Sequence, residues 1–384
     1  MGRYICKIPL KAYPAPSMLR LGDPEMTILT DVMNQIALIL RSDQALRTRL
    51  RTILTQICDL PEYAKWQDTE QYDGRRFRLP HRFISAATSD RRLLESLRLV
   101  VNDMLEVKLN CLDNGSVYMT DGLFVPADYR VFPFSDESDH LIRKLTTAGW
   151  LNWATAVIDP ATGCGHNALR VDAIHRFGFD ISVRALSFAA VNSYLNEKQF
   201  TALAFADIER GIPLLLSQGV KNTLFVVNMP FALEPVSGTL ARTAAGGKNG
   251  YEKTVSALNA IKGYMANSAD SKVRAVVLAY SIGNHGEDRW VVFEEAKKIF
   301  ESADVSWELF KDEQPWRVNG KKEQPNPMPL SSMKLKADCR YHVRDSRMRE
   351  PIRSAYIEKE RDLLRQGYDS LAYGILSIDT GGNK

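Results

Sequence analysis

Val157-Ile-Asp-Pro-Ala-Thr-Gly-Cys-Gly165, Gly178-Phe-Asp-Ile-Ser-Val-Arg-Ala-Leu186, Leu203-Ala-Phe-Ala-Asp207 and Leu224-Phe-Val-Val-Asn-Met-Pro-Phe231 follow one another, and the fold turns on them. Each is a short apolar run that ends on an acidic or amide residue. Helix-like segments lie between them, the first an amphipathic run from Gly165 to Phe177. Strands alternating with helical stretches predict βαβ units and a parallel sheet. Such a sheet presents its ligand-binding groups at the carboxyl ends of its strands. Asp159, Asp180, Asp207 and Asn228 stand at four such ends, so one crevice is expected to collect them.

The residues around these ends narrow the ligand. Gly163 and Gly165 after the first strand allow a tight turn and a close backbone approach. A phosphate-binding loop would need Gly-Lys-Ser/Thr, and neither this turn nor Gly246-Gly-Lys-Asn249 supplies it. A dinucleotide fingerprint would need glycine where Ala168 stands. Asp180, the acid closing the second strand, suits ribose hydroxyls. Together these features point to a nucleoside-containing ligand without a pyrophosphate. Cys164 and His166 inside the turn read as loop filling.

Working outward, the core completes itself with a helix over 251–264, a strand over 273–280, a helix over 290–302 and a strand over 306–310. Glu294-Glu-Ala-Lys297 imitates a nuclease motif but falls in the helical pattern of Val292, Ala296, Ile299 and Phe300, which makes it a solvated helix face. Upstream, Asp113-Asn-Gly115 between apolar runs predicts a β-hairpin. Before it, three helices are expected: after Asp23-Pro24, around Leu46, Leu50, Ile53, Leu54 and Ile57, and from Leu93 to Leu105. Arg75, Arg76 and Arg78 are candidate substrate contacts in this part. Beyond 310, residues 314–329 read as a long loop rich in Pro, Lys and Asn. Arg340, Arg344, Arg347, Arg349 and Arg353 follow on amphipathic segments, as a solvated face or an RNA- or ribosome-facing surface. The expected organisation is a helical N-terminal domain (1–111), an α/β domain with a leading hairpin (112–315) and a basic C-terminal extension (316–384).

Composition sets loose bounds on all of this. In 384 residues, Lys and Arg exceed Asp and Glu by four, a mildly basic balance compatible with nucleic acid and with ordinary enzymes alike. The five cysteines are scattered without a CxxC pair, so neither a disulfide framework nor a zinc site is expected, and a cytoplasmic location is the default. No run of the sequence has the apolar length of a membrane span or of a signal peptide.

Asp159-Pro160-Ala-Thr-Gly163-Cys-Gly165 resembles the first motif of class I S-adenosylmethionine-dependent methyltransferases. Asp180-Ile181-Ser, with Ala185, Ala189, Ala190, Asn192 and Asn196 after it, resembles their second-strand acid and following helix. Phe205-Ala-Asp207-Ile208 resembles the adenine-side motif, and Asn228-Met229-Pro230-Phe231 resembles the Asn-Pro-Pro-Tyr/Phe motif of enzymes that methylate amide or exocyclic amino nitrogens. Glu234-Pro235, Gly246-Gly-Lys-Asn-Gly250 and Arg130-Val-Phe-Pro-Phe-Ser-Asp-Glu137 are similar to the release-factor glutamine methyltransferases in particular. Met229 departs from the motif's first proline, but a backbone carbonyl is present with either residue.

The resemblance covers about residues 112 to 310. It implies a Rossmann-like, three-layer α/β methyltransferase fold that binds S-adenosyl-L-methionine through Asp159, Pro160, Gly163, Gly165, Asp180, Ile181, Asp207 and Ile208. It implies catalysis at Asn228, Met229, Pro230 and Phe231, without a metal, on a glutamine-like side-chain amide of a protein or peptide. An exocyclic amine of RNA or DNA is the alternative acceptor. A catalytically silent nucleic-acid-binding subunit would keep the same fold, though intact Asp180 and Asn228 argue against it.

Overall fold

A computed structural model describes residues 37–38, 40–58, 107–112, 115–121, 130–131, 136–211, 220–242, 244–268, 271–310, 326–333 and 346–381. The expected helices after Asp23-Pro24 and from Leu93 to Leu105 lie wholly or almost wholly outside these residues, as do Arg75, Arg76, Arg78, Arg340 and Arg344. Of the predicted N-terminal helices, the second is described as α1 (Gln44–Cys58), with Leu50, Ile53 and Leu54 buried. Asp43 opens it by accepting the Leu46 N–H at 2.9 Å, the usual role of an aspartate at a helix start. The predicted hairpin is present as β1 (Val107–Cys111) and β2 (Val117–Asp121), joined antiparallel. Its first strand therefore lies inside the stretch read as helical.

The remaining elements follow in the expected alternation: α2 (Asp136–Thr147), β3 (Ala156–Asp159), α3 (His166–Arg170), β4 (His175–Asp180), α4 (Val183–Leu195), β5 (Ala202–Phe205), α5 (Ile208–Gly211) and β6 (Asn222–Asn228). After the short β7 (Ala232–Leu233) and β8 (Ala245–Gly247) come α6 (Glu252–Asn267), β9 (Lys272–Asn284), β10 (Arg289–Trp290), α7 (Val291–Ile299) and β11 (Asp304–Leu309). The chain closes with β12 (Met328–Pro329), a 3₁₀ turn (Ser346–Met348), α8 (Arg349–Arg365) and β13 (Ser370–Asp379). One boundary differs from the sequence reading. The amphipathic run expected to reach Phe177 stops at Arg170, because Val171 is already extended, and His175, Arg176 and Phe177 belong to β4.

The central sheet has the order β11-β13-β9-β6-β3-β4-β5. From β9 through β5 every neighbour is parallel. β3 has β4 on one side and β6 on the other, so the winding direction reverses at β3 and opens a crevice at the carboxyl ends of β3 and β6. Successive residues point to opposite faces. Leu224 and Val226 pack in one core with α2 and α8, while Phe225 and Val227 pack in the other with α6 and α7. Burial on both faces explains why these strands read as unbroken apolar runs. The fold is the Rossmann-like three-layer α/β arrangement.

The C-terminal extension requires correction. β13 is no appendage: it lies between β9 and β11, antiparallel to both, and is buried from Ser370 to Ile378. Leu371, Tyr373 and Ile375 face one core, and Leu376 and Ile378 face the other. β12, inside the expected long loop, pairs with β13 as well. The basic helix α8 also lies on the core, with Ile352, Tyr356 and Leu363 buried. Among the described residues no helix is long and apolar enough to cross a membrane.

Candidate active site at the sheet switch point

The site begins with a carboxylate in the wrong medium. Asp159 is fully buried at the end of β3; its Oδ2 has no hydrogen-bond partner within reach. Burial, reinforced by the nearby Asp180 carboxylate, pushes it up to about 7. The chain then loops over the end of β4. Thr162 N–H donates to the Phe179 carbonyl at 2.9 Å, and Gly163 N–H donates to Asp180 Oδ2 at 2.9 Å. Gly165 has φ of 84°, and a Cβ there would stand 3.1 Å from the Ala189 Cβ and 3.2 Å from the Phe200 ring. Its glycine is thus required by the seating of α3 against α4.

Asp180 holds this loop from the next strand. Its second oxygen accepts the Ser182 N–H at 2.8 Å, so each carboxylate oxygen carries one backbone bond and keeps one lone pair. Burial lifts it to about 6 against the pull of those N–H groups. Ile181, immediately after it, leaves 49% of its surface in solvent. Asp207 serves α5 as its cap, accepting the Arg210 N–H at 2.9 Å, while Ile208 turns into the core. The same strand end lies beside Asp180, since Ala206 N–H donates to the Asp180 carbonyl at 3.2 Å. Pro160 sits between Asp159 and the loop. Burial also settles the two loop fillers: His166 is pushed down to about 3 and Cys164 up to about 12, so both are neutral near pH 7.

Across the switch point β6 ends at Asn228, level with Leu278 of β9. Asn228 is half-buried, and its side-chain amide has no hydrogen-bond partner among the described residues. Met229 packs on the core below. The Phe231 ring meets Tyr373 of β13 edge-on at 5.4 Å, and Tyr373 in turn meets Tyr280 of β9 at 5.3 Å. The Gly246–Gly250 loop closes over this turn. Ala232 N–H donates to Ala244 O at 2.7 Å and Glu234 N–H to Gly247 O at 2.8 Å. A Cβ on Gly246 would lie 2.4 Å from the Gly250 carbonyl and 2.6 Å from the Phe231 Cα, both rigid backbone. α8 adds a further clamp, with the Tyr356 hydroxyl donating to the Leu233 carbonyl at 2.7 Å.

The structure therefore brings Asp159, Gly163, Gly165, Asp180 and Ile181 together on one side and Asn228 to Phe231 on the other. Asp207 caps α5 while 47% of its side chain stays in solvent, and Ile208 lies in the core. Sequence reasoning missed Tyr280, Tyr373 and Tyr356, which build the wall behind Phe231. It quoted Asn192 and Asn196 without their task. Asn192 joins the hairpin to the loop, accepting the Met119 N–H at 2.7 Å and donating to Met119 O at 2.9 Å and to Cys164 O at 2.8 Å. Asn196, one turn on, takes the Val117 N–H and C=O in the same way. A buried pair completes the seam: Arg184 Nε donates to Asp121 Oδ2 at 2.9 Å, and the Val131 N–H donates to the same oxygen at 2.7 Å.

No protein-family model matches the chain, and no curated protein matches it either. Solved structures do. Phosphoethanolamine N-methyltransferase 2 of Haemonchus contortus in complex with S-adenosyl-L-methionine is 11% identical over 64% of this chain and 53% of its own, with a TM-score of 0.33. TYW2 of M. jannaschii in complex with AdoMet is 10% identical over 72% of this chain and 86% of its own, at 0.36. A SAM-dependent methyltransferase from Agrobacterium tumefaciens is 11% identical over 71% and 70%, at 0.40. The chain spans about half the length of the Haemonchus enzyme. At such scores the fold rests on the strand order above.

Proposed function

We propose that this chain is an S-adenosyl-L-methionine-dependent N-methyltransferase whose acceptor is a planar NH2 group, a glutamine-like side-chain amide of a protein. The observation that carries the reading is Asn228. A half-buried amide without a partner stands at the carboxyl end of β6, across the switch point from the Asp180–Gly163 cradle. A polar group so placed is suited to a ligand, because the fold leaves its hydrogen bonds unused.

The residues present fit the cofactor. Asp180 keeps one lone pair on each oxygen for a ribose diol, and Ile181 offers exposed apolar surface beside it. A Cβ on Gly163 would meet nothing closer than the Ala161 carbonyl at 4.0 Å, so its face is open to a ligand. Bound there, the cofactor supplies an electrophilic sulfonium methyl.

The rest is done by the chain. Asn228 Oδ1 and the residue 229 carbonyl accept the two N–H bonds of the acceptor. Holding both fixes the nitrogen lone pair in line, so orientation carries much of the rate, and the proton that the nitrogen sheds on gaining the methyl passes to solvent. Phe231, braced by Tyr373, covers one face of the planar acceptor. An exocyclic amine of a flipped base presents the same NH2 geometry to the same ring, which makes it the second reading.

Thermal unfolding with the cofactor at a hundredfold excess over its dissociation constant should show a stabilisation of about 2.7 kcal/mol. Asp180→Ala should abolish it. Tritiated methyl transfer into cell extract, with the label then released by protease or by nuclease, decides between the two acceptors. Absence of any thermal shift with the wild-type chain refutes the methyltransferase reading.

A further inference from the structure

Behind the Gly246–Gly250 loop lies a pocket of about 260 Å³ that the proposed chemistry does not use. Lys248 and Asn249 of the loop form one wall; Lys359 and Asp362 of α8, with Gln366 just past its end, form the other, and Ile282 of β9, Tyr251 and Tyr368 line it as well. The volume is below the roughly 300 Å³ at which pockets for whole small ligands begin. It suits one side group of a larger ligand.

The charges within the pocket are unevenly spent. Asp362 accepts from Gln366 Nε2 at 3.0 Å. Glu252, beside the loop, accepts from the Asn249 backbone N–H at 2.9 Å and from its side-chain Nδ2 at 2.7 Å. Both acids are thus held by neutral donors. Lys359 Nζ is bound at 2.6 Å, also by a neutral group, Asn249 Oδ1. Neither lysine pairs with an acid among the described residues, and Lys248 is exposed. Burial depresses the Lys359 ammonium, with Asp362 and Glu252 acting against it and the neighbouring Lys248 adding to it. The two lysines and the two acids balance in charge, but neither lysine is neutralised by direct contact, so each keeps N–H donors for an external carboxylate.

Its place in the fold ties it to the acceptor. Asn228 is level with Leu278, and Ile282 lies four residues further along the same strand, about 13 Å beyond on the ligand side. The loop that carries Lys248 also touches the target turn, since a Cβ on Gly250 would stand 2.9 Å from the Phe231 carbonyl.

We propose that this pocket is a substrate subsite that receives an acidic side chain of a polypeptide, about four residues from the methylated amide. This rests on the methyltransferase reading for its role, though not for its existence. A nucleic-acid phosphate is disfavoured by the surroundings. The exposed face of α8 interleaves Glu358 and Asp362 with Arg361 and Arg365 and makes no basic track.

The test uses fluorescent nonapeptides with a central glutamine and a glutamate four residues before or after it, against an all-neutral control, on the full chain. One glutamate peptide should bind wild type about fivefold tighter than the control, the scale of a partly exposed ion pair. Lys248→Gln and Lys359→Gln should each erase that preference. Lys248→Glu should transfer it to the peptide carrying lysine in place of glutamate, a swap that a merely structural lysine would not produce. Equal binding of all peptides to wild type overturns the proposal. So does tighter, Lys248-dependent binding of a single-stranded oligouridylate. Calorimetry with S-adenosylmethionine on the same preparations is read separately. If the cofactor fails to bind while the lysine-dependent preference persists, the subsite stands and the methyltransferase reading falls.

Discussion

The two halves of the central sheet meet at β3 and treat their polar groups in opposite ways. On the β3–β4 side the carboxylates are enclosed and tied down. Asp180 is bound by two backbone N–H groups, and Asp159 is sealed from solvent at a cost that its raised pKa records. On the β6–β9–β13 side Asn228 is left uncommitted, and the chain invests instead in what stands behind it: an aromatic wall and a glycine loop packed backbone to backbone. The first half is built before its ligand arrives. The second holds a rigid frame around one open amide. Under the proposed function, that division would suit a constant cofactor on the first side and an acceptor positioned at its reacting NH2 group on the second.

The largest expected effect breaks the open half only. Asn228→Ala should lower methyl transfer about a hundred- to thousandfold, about 2.7–4 kcal/mol by analogy with loss of one oriented donor in an oxyanion hole. Cofactor affinity should hardly change, because no described contact links Asn228 to the Asp180 cradle. Single-turnover transfer and calorimetry on the same variant check this. Full transfer by the variant would remove Asn228 from the chemistry.

The closed half should instead be exposed by pH. Asp159 at about 7 and Asp180 at about 6 both lie above the ordinary carboxylate value, chiefly through burial. The folded chain therefore binds protons that the unfolded chain does not between roughly pH 4 and pH 7. Stability of the cofactor-free protein should rise as pH falls from 7 towards 4, by at most about 1.4 kcal/mol per pH unit for each group. Asp159→Asn should flatten that slope, read from urea midpoints between pH 7.5 and 5. An unchanged slope would mean that Asp159 is not the group that titrates.

The same division governs what was legible in the sequence. The parallel strands β3, β4, β5 and β6 follow one another in the chain, and their turns carry glycine, acid and amide signals at the ends. Asp159, Asp180 and Asn228 were readable for that reason. β13 pairs with β9 across about a hundred residues, and nothing local in Ser370–Asp379 names its partners. Its neighbours in sequence are basic, and the segment was accordingly read as part of a basic C-terminal extension. With β13 went Tyr373, so the wall behind Phe231 stayed hidden although the motif in front of it was plain. Asp207 was legible for the same reason, but its second task, capping a short helix, was not.

The smallest expected effect concerns how firmly the late segment serves the open half. Tyr356 is fully buried in α8, and its hydroxyl reaches the Leu233 carbonyl just past the target turn. Tyr356→Phe keeps the ring and its packing and deletes one hydrogen bond, which costs about 1 kcal/mol where the acceptor finds another partner and up to about 3 where it does not. For a chain of this size 1 kcal/mol lowers the melting temperature by only about 1–2 °C. A decline in transfer beyond that loss of stability, with unchanged cofactor affinity, would show that α8 positions the acceptor turn. Parallel loss of both functions would place Tyr356 with the general core, since a bond that merely holds the two layers together has no reason to favour one side of β3.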